Sequence, residues 1–171
     1  MPRSIAFAWT TPAFCNRQKF VTRRGWQPSY ADSFKAGDEL IAYDHSPRTK
    51  SELITPKQIG LIKLAVKPYP AHTRIHNSDV EYNAEGFGFF DEYPKLMPPA
   101  WKEKFAIYGV ANFREYWRIH FDCGEHIEAQ DYRDFGKEPS KFTYVVRFSI
   151  VEIFKEAHEY LLENLLENST H

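Results

Sequence analysis

Apolar positions along the chain fall in short blocks, separated by proline- and glycine-bearing breaks. Arg3–Thr10 (RSIAFAWT) is short, apolar and aromatic, the pattern of a buried strand, and Thr11-Pro12 ends it. Glu39–Tyr43 (ELIAY) and Gln58–Val66 (QIGLIKLAV) read as two more strands, with the polar loop His45–Pro56 between them as in a long-looped hairpin. Phe142–Phe154 (FTYVVRFSIVEIF) is the strongest strand, dense in Val, Ile and aromatic residues. Pro28–Phe34 predicts one helical turn with its proline early, and Lys35-Ala36-Gly37-Asp38 a turn. Pro68-Tyr69-Pro70 stops regular structure. Asn77–Ala84 predicts a helix capped by Asn77 or Ser78, and Phe89–Leu96 a second short one. Phe113, Trp117 and Phe121 recur at i, i+4 and i+8, so Asn112–Phe121 predicts an amphipathic helix capped by Asn112. Asp122–Lys141 is polar and reads as an insertion or long loop, and Glu156–Glu167 as a C-terminal helix. About five strands with short helices between them predict an α+β fold, a small mixed, partly closed β-barrel with peripheral helices. The βαβαβ alternation of a nucleotide-binding parallel sheet is missing, and Gly86-Phe87-Gly88 is too short to be a phosphate loop.

Composition narrows this reading. A chain of 171 residues suits one domain, and 14 Phe, 10 Tyr and 4 Trp argue against disorder. The expected organisation is a single domain over 1–171, with an insertion at about 97–140 and an added C-terminal helix at 155–168. No run approaches the roughly 18 apolar residues of a membrane span, and the N-terminus lacks a signal-peptide pattern. Cys15 and Cys123 stand far apart and outside any CxxC pair, so a cytoplasmic chain is the expectation. The net charge of −1 hides a split: residues 1–67 carry 11 Lys+Arg against 5 Asp+Glu, and the remainder 11 against 18. The basic half invites a polyanion, RNA or a small nucleotide, and the acidic half leaves room for a protein partner. Two charged surfaces that cancel against each other would give the same split.

Candidate chemistry concentrates in four places. The segment Arg17-Gln18-Lys19-Phe20-Val21-Thr22-Arg23-Arg24 has four cations and no acid, with Trp26 close behind. Arginines grip phosphates through paired donors, and a tryptophan offers a face for a base. A solvated edge strand guarded by cations is the plainer alternative. The loop His45-Ser46-Pro47-Arg48, after Tyr43, sits at a strand end where binding residues gather. Glu85 precedes the Gly86 turn and can point into a cleft. His72 with His76, and His120, Cys123 and His126, have ligand-like spacings but no paired-Cys motif, so neither a metal nor any other cofactor is expected. No serine nucleophile elbow is present, and nothing singles out either cysteine as a nucleophile.

Phe7-Ala8-Trp9, then Lys19-x-x-Thr22-x-Arg24, then Phe34-Lys35-x-Gly37-Asp38 together resemble the ASCH domain family of the PUA-like superfamily. Of that family's G-x-K-x-x-E-x-R signature, Lys19 and Arg24 match, while Arg17 replaces the glycine and Thr22 the glutamate. Ala84-Glu85-Gly86-Phe87 resembles a further family segment, and Tyr144–Phe148 the closing strand. The resemblance implies a small β-barrel with a cleft, and binding of RNA or a modified nucleoside. It further implies an amidohydrolase of the N4-acetylcytidine type, with Lys19, Thr22 and Glu85 catalytic. Arg17, Arg23, Arg24 and Arg48, with His45, would contact phosphate or base edges, and Trp26 or Tyr43 would stack. A non-catalytic RNA-binding module and a ribonuclease are the alternatives. A regular strand would point residues 19 and 22 to opposite faces, so the catalytic reading requires a turn or bulge between them.

Overall fold

The computed structural model describes residues 3–48, 51–71, 78–122 and 143–161. Six strands, β1 (Arg3–Ala6), β2 (Val21–Arg24), β3 (Glu39–Tyr43), β4 (Gln58–Leu64), β5 (Tyr69–Ala71) and β6 (Thr143–Ile153), make one curled sheet. Its order is β1-β3-β4-β6-β2. β1 and β3 run parallel, Ser4 opposite Ile41, and the other pairs are antiparallel. The long β6 organises the sheet: its second half holds β4, and its first half lies between β2 and β5. The architecture is mixed α+β with a half-barrel sheet.

Curvature follows from irregular pairing. The β4–β6 register shifts between Leu61 and Ile62. Ile59 and Ile62 both lie in the core although strict alternation would turn one outward. At the bend, a Cβ on Gly60 would stand 2.5 Å from the Glu152 carbonyl oxygen and 3.0 Å from the Phe14 ring, so only glycine fits. Against the inner face, Phe7, Phe14 and Phe34 pack on Ile5, Leu40, Ala42, Ile59, Ile62, Val146 and Phe148 as one apolar core.

A second, aromatic core lies among α3 (Asp79–Ala84), α4 (Phe87–Glu92), α5 (Pro99–Tyr108) and α6 (Phe113–Asp122). Trp9 stacks on Phe87 and Phe113, with centroids 5.8 and 5.0 Å away. That insertion is why the first strand is shorter than expected. The chain leaves β1 after Ala6, turns in a 3-10 turn over Ala8–Thr10, and enters α1 (Thr11–Cys15) with Pro12 in its first turn. Thr11-Pro12 therefore starts a helix as well as ending the extended segment, and α2 (Pro28–Asp32), with its proline in the first turn, is the short helix expected there.

Ser78 caps α3, accepting from the Glu81 amide at 3.3 Å, and Asn112 caps α6, accepting from the Glu115 amide at 2.9 Å. Phe113 and Trp117 are buried on one face of α6, as their spacing predicts. Three expectations are corrected. Tyr69–Ala71 is a strand, because an edge position beside β6 accommodates Pro70. Phe89–Leu96 divides at Tyr93 between α4 and a 3-10 turn over Pro94–Leu96, where proline cannot continue the α-helical ladder. Lys155–Tyr160 is also a 3-10 turn rather than the start of an α-helix. Trp101–Tyr108 is helical, with Trp101 and Phe105 buried in the aromatic core. Residues 123–142 and 162–171 lie outside the described residues, and with them most of the expected insertion loop and C-terminal helix. Among the described residues no helix is long and apolar enough to cross a membrane.

Candidate functional site

α1 closes in a Schellman turn. The Arg17 amide donates to the Phe14 carbonyl at 2.9 Å and the Gln18 amide to Ala13 at 2.8 Å, with Arg17 at φ +57°. A left-handed residue is needed there, the conformation glycine adopts most easily, and it leaves the Arg17 side chain exposed. Lys19 and Phe20 then form a link that precedes β2. The Phe20 amide donates to Ala84 at 2.8 Å, and its carbonyl accepts from the Phe148 amide at 3.0 Å. Strand parity thus begins at Val21 and places no constraint on Lys19.

Lys19 and Glu85 are brought together. The Lys19 Nζ donates to the Glu85 carbonyl at 2.6 Å and to Oε2 at 3.3 Å. Both side chains are almost fully buried, at 2% and 6% exposure. The ammonium also lies 5.6 Å from the Phe7 ring centroid. The turn into α4 makes the meeting possible. Gly86 sits at φ +92°, and a Cβ there would come within 2.8 Å of the Ala13 Cβ and 3.4 Å of the Lys19 Cβ.

The register of β2 on β6 sets the remaining cations. Thr22 and Arg24 lie opposite Val146 and Tyr144, on the inner face; Arg23 lies opposite Val145, on the outer face toward α3. Arg23 Nη1 donates to Glu85 Oε1 at 2.5 Å, and Nη2 to Glu81 Oε2 at 2.6 Å. Arg147 Nη2 donates to the other Glu81 oxygen at 2.6 Å, and its Nε to the Tyr69 hydroxyl at 2.7 Å. Charges therefore alternate along Lys19, Glu85, Arg23, Glu81 and Arg147. Arg24 adds a further cation, and its guanidinium crosses the open edge of the sheet to donate to the Ala6 carbonyl. Burial drives the Lys19 pKa down to about 8; Glu85 opposes the fall, and Arg24 and Arg23 add to it. Thr22 is buried at 5% exposure, and among the described residues its hydroxyl makes no hydrogen bond; neither it nor Lys19 nor Glu85 lines the cleft described next.

A cleft of about 440 Å³ opens where β1 and β2 fail to pair, and Arg24, Trp26 and Arg48 line it. Trp26 is half-buried and stacks on Phe34 at 4.9 Å, which fixes its ring. Tyr43 does not join them: its hydroxyl accepts from Gln58 at 3.0 Å, on the sheet face opposite Leu40 and Ala42. His45 lies with Nδ1 3.3 Å from the buried Asp44. Asp44 also accepts from the Lys57 amide at 2.7 Å and the Tyr160 hydroxyl at 2.9 Å. Burial alone would raise Asp44, but these donors outweigh it and hold the carboxyl below its ordinary value. Burial, with Asp44 and Glu159 nearby, pushes the Cys15 thiol up to about 12, far from a nucleophile's range.

The basic segment is thus partly internal. Lys19 and Arg23 are neutralised by glutamates from the acidic half, while Arg17, Arg24 and Arg48 form no ion pair among the described residues, the Glu85 charge acting on Arg24 only at longer range. Glu81 and Arg147 escaped the sequence reading. Glu81 stands four residues before Glu85, one helical turn away. Arg147 is the lone cation in a run of apolar strand residues, and both signals could have raised them. Among the described residues no group of three His, Cys, Asp or Glu side chains could hold a metal. His72, His76, Cys123 and His126 lie outside those residues, as does the His120 side chain. No protein-family model matches this chain, and no curated protein or solved structure does either.

Proposed function

We propose that this chain is an ASCH-like domain of the PUA-like type that takes an N4-acylated cytidine, free or within RNA, and hydrolyses its amide. The observation that carries the reading is the buried Lys19–Glu85 pair, with Thr22 three residues along the chain, itself buried and with a hydroxyl that has no partner among the described residues. An N-acyl bond needs a nucleophile, a base and an acid. Thr22 Oγ attacks the acyl carbon and gives its proton to neutral Lys19 Nζ. The C–N bond breaks, and the departing amine takes a proton from Lys19 or through Glu85. Water then hydrolyses the threonine ester, releasing the acid. These steps require no cofactor, and a cytoplasmic location would supply RNA as substrate. A lysine titrating near pH 8 is suited to the base role, because a useful fraction is neutral at physiological pH. Turnover should accordingly rise with pH toward a plateau above about 8.

A second reading has its own observation. Both Glu85 carboxylate oxygens are engaged, one by Arg23 and one by Lys19, as in a structural clasp. The domain would then be a non-catalytic RNA reader. Incubation with N4-acetylcytidine, followed by chromatography for cytidine, separates the two. Turnover that disappears in Lys19→Ala and in Thr22→Val supports the hydrolase. Bound RNA without turnover leaves the reader, and RNA fragments would indicate a ribonuclease.

A further inference from the structure

The cleft between β1 and β2 has a composition of its own. Two arginines, Arg24 and Arg48, line it, and among the described residues no acidic residue does. Trp26, Tyr30, Gln27 and Ser46 supply aromatic faces and neutral hydrogen-bonding groups. Arg24 spends one Nη on the Ala6 carbonyl, and its Nε is buried without a partner. The Arg48 side chain has no partner among the described residues, only its amide being tied, to Ser46 Oγ at 3.3 Å. Elsewhere in the cluster the cations are ion-paired, Lys19 and Arg23 with Glu85 and Arg23 and Arg147 with Glu81, although Arg23 Nε, like that of Arg24, has no hydrogen-bond partner. Guanidinium groups in a concave site without an ion-paired carboxylate among the described residues are suited to an anion with several acceptor oxygens.

We propose that this cleft is a nucleotide subsite, holding one phosphate between Arg24 and Arg48 with its base against Trp26. A volume of about 440 Å³ admits a single nucleotide and lies in the roughly 300–1,000 Å³ range of small-molecule pockets. A duplex does not fit a space that size, and stacking on Trp26 needs an unpaired base. The ring is held by Phe34 at 4.9 Å and by Tyr30 edge-on at 5.1 Å, so little rotamer entropy is lost on binding. The choice of cytosine as the base rests on the function proposed above, whereas the phosphate requirement rests on the cleft alone.

Titration calorimetry with cytidine, cytidine 5′-monophosphate and a cytidine dinucleotide tests this at two salt concentrations. The monophosphate should bind about tenfold or more tightly than cytidine, in line with a charge-assisted contact. The advantage should shrink with salt, and inorganic phosphate should compete. Arg48→Gln, at an exposed position, should remove most of the advantage without altering the melting temperature. Tighter dinucleotide binding points to RNA as the source, and equal binding to a free nucleotide. Equal affinity for cytidine and its monophosphate, or an advantage untouched by Arg48→Gln, overturns the proposal, as does the absence of any binding. Hydrolysis of N4-acetylcytidine is followed on the same protein. Turnover without a phosphate preference sinks the subsite alone, whereas a phosphate preference without turnover leaves the subsite and removes the catalytic reading.

Discussion

Lys19 makes the folded protein respond to alkaline pH in an unusual direction. Its side chain is buried at 2% exposure and titrates at about 8, against 10.5 for an unperturbed lysine. Between those values the unfolded chain holds a proton that the folded chain has released. Stability therefore rises with pH across the window from about 8 to 10.5, and the cost of burying the charge is carried in full below it. The slope is at most about 1.4 kcal/mol per pH unit, and the total on the order of 3 kcal/mol. Other buried groups oppose it: Cys15, Tyr82 and Tyr160 have raised pKa values in the fold, so their contributions fall as pH climbs past their unfolded values. The difference between wild type and Lys19→Met removes those shared terms, since methionine keeps an unbranched stem and drops the charge. Urea denaturation at pH 7.5, 8.5 and 9.5 reads it by linear extrapolation. Wild type minus variant should climb steadily across the three. A difference that is flat, or that falls, would refute the assignment of a depressed pKa to Lys19.

Three further perturbations probe the same region. Glu85→Gln leaves Lys19 and Arg23 buried without their shared counter-charge, an expected loss of about 3–5 kcal/mol; thermal melts should show a drop of roughly 10 °C, and an unchanged melt would mean the pair is solvated. Arg17→Gly should stabilise by about 0.5–1 kcal/mol, because φ +57° is strained for arginine and natural for glycine; denaturant midpoints check the sign. Gly86→Ala should cost about 2 kcal/mol or more through its left-handed backbone and its contact with the Ala13 Cβ. Adding Ala13→Gly should recover part of that loss, and no recovery would place the whole cost in the backbone.

Local patterns foretold the three longest strands of the sheet. The apolar runs at Glu39–Tyr43, Gln58–Leu64 and Thr143–Ile153 are strands, and Ser78 and Asn112 cap the helices their side chains suit. Each depends on neighbours within a few residues, which is the range over which alternation and capping operate. Arg3–Thr10 and Tyr69–Ala71 went the other way. Trp9 leaves the strand for an aromatic core built from residues about 80 to 110 positions later, and Pro70 survives because its strand lies at an edge. Neither reason is visible locally.

The candidate site divides along the same line. By itself the sequence determined which side chains carry unusual chemistry: a cation run without acids, a glutamate before a glycine, and a tryptophan behind two arginines. Only the tertiary structure decided which of those charges face each other. It paired Lys19 and Arg23 with Glu85 across more than sixty residues, brought in Glu81 and Arg147, and left Arg24 and Arg48 on a cleft apart from Tyr43. The reason is physical. Charge composition is additive along a chain, but electrostatic energy depends on distance and burial, and those exist only once β6 has drawn β2, β4 and β5 to its two edges.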